Sequence, residues 1–136
     1  MAGLGEGRPT KRRAGADAGG LAVADPRPVF DGGAVLGARC TTCRYPVPQR
    51  QLPWCPVCYG ELVPERFAAT GSVWSSTVVA IPVGTRRPPF GLAYVDLDDG
   101  PRVLAHLADA YVLAPGSRVR IVDSDEGDLV AAREVR

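Results

Sequence analysis

Four cysteines carry the strongest chemical signal in this chain. Cys40-Thr41-Thr42-Cys43 and Cys55-Pro56-Val57-Cys58 are two CxxC pairs with 11 residues between them, and they hold all four cysteines of the sequence. A CxxC turn sets two sulfurs on one side of a tight loop, with backbone amides pointing at them. Two such knuckles facing each other offer four thiolates at the corners of a tetrahedron, the donor set of structural Zn²⁺ with Zn–S distances of about 2.3 Å. Disulfides fit less well, because the opening MAGLGEGRPTKRRAGADAGG lacks the apolar run of a secretory signal and a reducing cytoplasm is expected. A redox CxxC needs one such motif beside a βαβ pattern, whereas two are present with no such pattern. The expected cofactor is therefore Zn²⁺ on Cys40, Cys43, Cys55 and Cys58. Four cysteines close the coordination sphere and leave no place for water or substrate, so the metal is structural. Arg39, Arg44 and Arg50 lie near enough in sequence to offset the negative charge of a metal tetrathiolate, or to be solvated. Trp54 and Tyr45 are expected to pack around the knuckles.

Little else in the chain suggests chemistry. His106 is the only histidine and sits between the core-like Leu104 and Leu107, so a packed or edge histidine is expected. The sequence has no G-x-S-x-G, H-E-x-x-H or P-loop pattern. Asp96, Asp98 and Asp99 fall at a hairpin tip, and Asp123, Asp125, Glu126 and Asp128 in another acidic turn; both read as solvated turn carboxylates. Adjacent Arg86 and Arg87 lie on a loop stiffened by Pro82, Pro88 and Pro89. Guanidinium forks match phosphate oxygens, which makes this pair the candidate for a phosphate-bearing ligand, against the plainer reading of two solvated charges.

These residues need a scaffold that the sequence also outlines. Residues 1 to about 28 read as a disordered tail, with six Gly in the first 20 positions and a short basic run, Lys11 to Arg13. Residues 29–66 hold the cysteines among prolines and short extended pieces, the texture of a zinc ribbon. This segment falls below the roughly 40 residues at which a domain usually builds its own core without staples or metal. Residues 67–136 present five strand-like runs: Phe67 to Ile81, Phe90 to Leu97, Arg102 to Leu107, Arg118 to Asp123 and Leu129 to Val135. Asp98-Asp99-Gly100 is a hairpin signal between the second and third. Ala108 to Ala114 is Ala-rich and could form a helical turn. Three strands, a short helix or loop, then two strands is the order of a five-stranded Greek-key barrel, the OB-fold. The expected fold is mostly β, a rubredoxin-like ribbon followed by such a barrel.

Composition narrows the functions further. Sixteen basic residues face 15 acidic ones for a formal net charge of +1, which weighs against nucleic-acid binding by bulk electrostatics. No stretch approaches the roughly 18 apolar residues of a membrane span, so a cytoplasmic protein with no membrane association is expected. Gly 16 and Pro 13 exceed a fifth of the chain and favour turns over long helices. An OB-fold that reads single strands needs a basic groove with aromatic platforms; Trp74 and Tyr94 are the aromatics available, and the flanking turns are acidic. A single-stranded nucleic-acid module is therefore the runner-up function.

The order of a CxxC–x11–CPxC ribbon, then Thr70-Gly71-Ser72-Val73-Trp74-Ser75-Ser76-Thr77-Val78-Val79, then Pro89-Phe90-Gly91-Leu92-Ala93-Tyr94-Val95-Asp96-Leu97-Asp98-Asp99-Gly100-Pro101-Arg102-Val103-Leu104-Ala105-His106-Leu107, resembles a known family. It is the small bacterial and archaeal family in which a rubredoxin-like zinc ribbon is fused to an OB-fold, acyl-CoA-associated and long classed as a domain of unknown function. The resemblance covers residues 30 to 136. It implies a non-catalytic accessory or scaffold subunit that partners a thiolase-fold, aldolase or acyltransferase enzyme, bridging enzymes or completing a channel for an acyl-CoA thioester. By position it places the zinc ligands at Cys40, Cys43, Cys55 and Cys58 and supplies no catalytic residue. Family members carry a short helical arm before the ribbon, where this chain has the long Gly-rich segment.

Overall fold

The computed structural model describes residues 25–134, so the expected tail lies outside the described residues up to position 24, the basic run Lys11 to Arg13 included. Nine strands and no helix occupy the described residues. The first four build the ribbon sheet: β1 Val29–Asp31, β2 Ala34–Cys40, β3 Pro46–Val47 and β4 Leu62–Ala68. β2 is the centre, paired antiparallel with β1 and β3 along one edge and with β4 along the other. The remaining five are β5 Thr70–Val79, β6 Phe90–Leu97, β7 Arg102–Leu107, β8 Arg118–Asp125 and β9 Asp128–Arg133. They close a barrel in the order β5-β6-β7-β9-β8, in which β7 and β9 run parallel and every other pair antiparallel. This is the expected mostly-β architecture with an OB-like barrel.

Period-two patterning explains the barrel. Along β6, Gly91, Ala93, Val95 and Leu97 are buried while Tyr94 is exposed; along β7, Val103, Ala105 and Leu107 are buried while Arg102 and Leu104 are exposed. Register then stacks the outward residues in cross-strand pairs, Leu92 with His106, Tyr94 with Leu104 and Asp96 with Arg102. Small inward residues such as Ala93, Ala105 and Ala131 leave room for the fully buried Ile121, Val119 and Leu129. The core does not stop at the barrel wall. Val35 of β2 and Phe67 of β4 belong to the same buried cluster, so the ribbon rests on the barrel through apolar packing as well as through the chain.

One expected strand needs correction, and one open choice between helix and loop is decided. The run from Phe67 to Ile81 is not one strand, because the chain leaves the ribbon sheet at Ala68, passes the buried Ala69 and enters the barrel at Thr70. Ala108 to Ala114 forms no helical turn. Its polar groups are taken by tertiary partners instead: the Ala108 N–H donates to the Ala131 carbonyl, and the Leu113 N–H donates to Ser76 Oγ at 2.8 Å, which pins the buried Leu113 side chain over the barrel. Residues 25–28, the end of the expected tail, lie within the described part. Arg27 there donates to the Glu126 carbonyl and to Asp128 in the β8–β9 turn.

Candidate functional site

The two CxxC segments fold as near-copies of each other. In the first, the Arg44 N–H donates to the Cys40 carbonyl at 3.1 Å and the Cys40 N–H to the Tyr45 carbonyl; in the second, the Tyr59 N–H donates to the Cys55 carbonyl at 2.9 Å and the Cys55 N–H to the Gly60 carbonyl. The residue after each second cysteine takes the left-handed conformation, Arg44 at φ 67° and Tyr59 at φ 65°, which closes each turn. The closed turns aim amides at sulfur: Thr42 and Cys43 N–H at Cys40 Sγ, both 3.4 Å, and Val57 N–H at Cys55 Sγ, 3.3 Å. The Cys43 amide is the leading cause that draws the Cys40 thiol down to about 6.

Facing one another, the knuckles bring all four Sγ atoms within 4.8 Å. Cys40 Sγ lies 3.4 Å from Cys58 Sγ and Cys43 Sγ 3.7 Å from Cys55 Sγ, with no disulfide among them. A tetrahedron with arms of about 2.3 Å has edges of about 3.8 Å, so the sulfurs already stand near the spacing a tetrathiolate metal requires. At Cys43 the Tyr45 amide favours the thiolate, but desolvation and the other sulfurs outweigh it and push the thiol up to about 12. Four sulfurs this close cannot all ionise unaided, and a divalent cation resolves that conflict. These four residues could hold one metal ion. Gly60 is part of the fit: a Cβ there would stand 3.1 Å from Cys40 Sγ and Thr42 Oγ1 and 3.2 Å from Cys58 Sγ.

Of the three arginines near the cysteines, Arg39 is committed elsewhere. Arg39 is buried and makes a bidentate pair with Glu65 at 3.0 and 3.1 Å. Its remaining donors reach the Arg44 carbonyl at 2.9 Å and the Asp99 carbonyl at 2.7 Å. Arg44 and Arg50 are exposed. Trp54 and Tyr45 are each about half exposed, beside the exposed Val57 and Tyr59 of the same segment.

On the barrel, the two candidate arginines part company. Arg86 is held by the acidic β8–β9 turn, 3.4 Å from Asp125 and 3.3 Å from Asp128, while Thr85 Oγ1 donates to Glu126 at 2.8 Å. Arg87 is exposed and makes no ion pair among the described residues. The turn carboxylates are thus not simply solvated. Asp128 collects Arg27, Arg86 and His106, whose Nε2 lies 3.4 Å from its Oδ2, and the two arginines hold Asp128 below the usual carboxylate range against the effect of burial. Asp98 pairs with Arg118 at 2.6 Å and is drawn down to about 2; Asp96 pairs with Arg102 at 2.7 Å. His106 packs on Phe90 with ring centres 5.5 Å apart, and its buried Nδ1 has no hydrogen-bond partner. Burial, then Arg86, lowers its pKa, so it is a neutral, packed imidazole. Sequence spacing gave no signal for the Arg39 clamp or the Asp128 cluster, since Arg39 meets Glu65 and Asp99, and Asp128 meets Arg27, Arg86 and His106, across more than 20 positions.

The outer barrel face carries Trp74, Tyr94 and Leu104, all exposed. Alternation along β5, with Gly71 and Val73 buried, points Trp74 outward at the register shift between Val73 and Ser75, and its ring meets that of Tyr94 edge-on at 6.1 Å. The Arg102 guanidinium lies over the Trp74 ring at 4.0 Å. Among the described residues no helix is long and apolar enough to cross a membrane.

Comparison with known proteins agrees with this architecture. Residues 65–123 match the family model described as ChsH2, C-terminal OB-fold domain. A DUF35 domain-containing scaffold protein of Pyrococcus furiosus is 35% identical over 78 residues, 55% of this chain and 56% of that relative. The chain thus spans little more than half the length of that relative. A solved structure, the Ltp2-ChsH2(DUF35) aldolase, shares the fold at a TM-score of 0.58 and 24% identity, over 75% of this chain and 86% of the compared chain. The resemblance to the family of zinc ribbons joined to OB-folds therefore holds.

Proposed function

We propose, from its resemblance to this zinc-ribbon and OB-fold family, that the chain is a non-catalytic accessory subunit. In this reading it associates with a thiolase-superfamily enzyme in the cytoplasm and helps that enzyme bind or channel acyl-CoA thioesters. The observation that carries the proposal is the likeness of the barrel to the ChsH2 C-terminal OB-fold domain, alongside a relative named as a scaffold protein. The side chains agree with a supporting role. His106 meets a carboxylate on one nitrogen and nothing on the other, so it activates no hydroxyl or thiol among the described residues.

We assign Zn²⁺ to Cys40, Cys43, Cys55 and Cys58, because four thiolates at near-tetrahedral spacing suit that ion and leave it no open position. When bound, it supplies cross-linking of the two knuckles, not chemistry on a substrate. Residues 29–66 then act as a docking unit and 67–136 as the barrel beside the ligand path. In this reading Arg86 and Arg87 serve a CoA phosphate, the exposed Arg87 as the contacting cation and Arg86, anchored on Asp125 and Asp128, as the residue that fixes their loop. The nucleic-acid alternative is disfavoured by the outer face. One face of its Trp74 ring is taken by Arg102, and Asp96, paired to that arginine, puts a carboxylate beside the place where a base would stack.

Co-expression with a thiolase-fold enzyme encoded nearby, followed by size-exclusion chromatography and calorimetry with acyl-CoA, tests the proposal. Co-elution is expected, with acyl-CoA affinity of the complex at least about tenfold weaker for the Arg86→Ala/Arg87→Ala variant and assembly intact. Separate elution, together with salt-sensitive binding of single-stranded DNA, would transfer the assignment to the alternative.

A further inference from the structure

Arg39 sits next to the metal ligand Cys40 and yet serves two distant parts of the fold. One terminal nitrogen donates to the carbonyl of Arg44, the left-handed residue that closes the first knuckle directly after Cys43. The other donates to the carbonyl of Asp99, at the left-handed tip of the β6–β7 hairpin of the barrel. Glu65 of β4 grips the guanidinium from the side at 3.0 and 3.1 Å and so fixes its plane. The Phe67 ring lies 5.4 Å beneath it. Phe67 also seats the hairpin, since a Cβ on Gly100 would stand 3.2 Å from its ring. A buried guanidinium held by the Glu65 carboxylate and two carbonyls, with the Asp99 carboxylate at 3.7 Å, is tightly placed: moving either carbonyl costs it a charge-assisted hydrogen bond.

From this geometry we propose that Arg39 couples occupancy of the four-cysteine site to the order of the β6–β7 hairpin, residues 97–101. With metal bound, the first knuckle is closed and the Arg44 carbonyl is where Arg39 needs it. Without metal, the knuckle opens, that acceptor moves, and the clamp on the Asp99 carbonyl loosens. By reciprocity, anything that orders the hairpin, a partner surface included, tightens metal binding by the same factor. This rests on the metal assignment above.

Hydrogen exchange by mass spectrometry on the full chain tests it, with elemental analysis before and after treatment with a zinc chelator. The reporters are the Leu97 and Gly100 amides, which donate to the Pro101 and Leu97 carbonyls. The control is the β8–β9 turn, residues 125–128, which Arg39 does not touch. Chelation should accelerate exchange at 97–101 by at least about fivefold and leave 125–128 unchanged, a coupling of the size common between linked sites. In Arg39→Lys, which keeps the charge but loses the fork, exchange at 97–101 should no longer respond to metal. If that variant does not fold, Glu65→Gln, which keeps the packing but not the ion pair, should weaken the response in the same way. A hairpin that ignores chelation in the metal-binding chain, an equal rise in both turns, or an undiminished response in the variants would overturn the coupling. A chain with no metal as isolated would instead overturn the metal assignment itself.

Discussion

Replacing Arg39 with Ala should destabilise the protein more than any other single arginine truncation among the described residues. The side chain is 8% exposed and its carboxylate partner Glu65 is 32% exposed. Removing one member of a buried pair costs about 3–5 kcal/mol, because the other charge remains without a partner. Here Glu65 can recover some water, and the exposed Asp99 turn lets a solvent molecule reach its carbonyl, so the lower end, about 3 kcal/mol, applies. At about 4 °C per kcal/mol for a domain near 100 residues, the midpoint of metal-loaded protein should fall by about 12 °C. Arg66→Ala is the internal control. Its pair with Asp31 is 54% and 63% exposed, and such surface pairs are worth about 0–1 kcal/mol. Thermal and urea unfolding of both variants, loaded with metal to the same content, gives the comparison. Equal losses in the two variants would refute the claim that Arg39 clamps ribbon to barrel.

Further outcomes follow from particular contacts. Gly60→Ala should weaken metal binding about tenfold in chelator competition, since the new methyl must displace Cys40 Sγ, Thr42 Oγ1 or Cys58 Sγ, an overpacking cost of about 1–3 kcal/mol. Cys55→Ser should abolish stoichiometric metal and unfold the ribbon, because metal binding in so small a module is largely folding free energy. Acid should destabilise the protein through Asp98 and Glu65, whose carboxyls are held down by Arg118 and Arg39. A depressed folded pKa gives stability that is complete above the unfolded value of about 4 and lost as pH falls through the folded one, so the loss should run from about pH 4 toward pH 2. In Arg118→Ala, part of that acid sensitivity should vanish when midpoints are measured against pH. Gly127→Ala should lower the thermal midpoint by a few degrees, since a side chain at φ 87° is strained and its Cβ would overlap the Arg27 guanidinium.

The cysteine site was legible because its information is local: two three-residue spacings and one loop bring the ligands together whatever the rest of the chain does. The barrel strands Phe90–Leu97 and Arg102–Leu107 were legible for a similar reason, alternation on both sides of an Asp-Gly turn. What escaped depends on register between distant strands. Arg39 faces Glu65, Arg44 and Asp99 only because β2 pairs with β4 and the barrel hairpin packs against Phe67. Arg86 looked open on its proline-rich loop, yet the β8–β9 turn some 40 residues on supplies its carboxylates. Ala108 to Ala114 has helical propensity, but Ala131 and Ser76 offer its amides better partners.

The central claim, an accessory chain without chemistry of its own, is tested most directly by turnover of an acyl-CoA substrate. The assay compares metal-loaded chain alone, the neighbouring thiolase-fold enzyme alone, and the two titrated together. No turnover by the chain is expected, and an enzyme rate that rises with added chain and saturates at a fixed ratio. Turnover by the chain alone, or an enzyme rate that does not change on its addition, would contradict it.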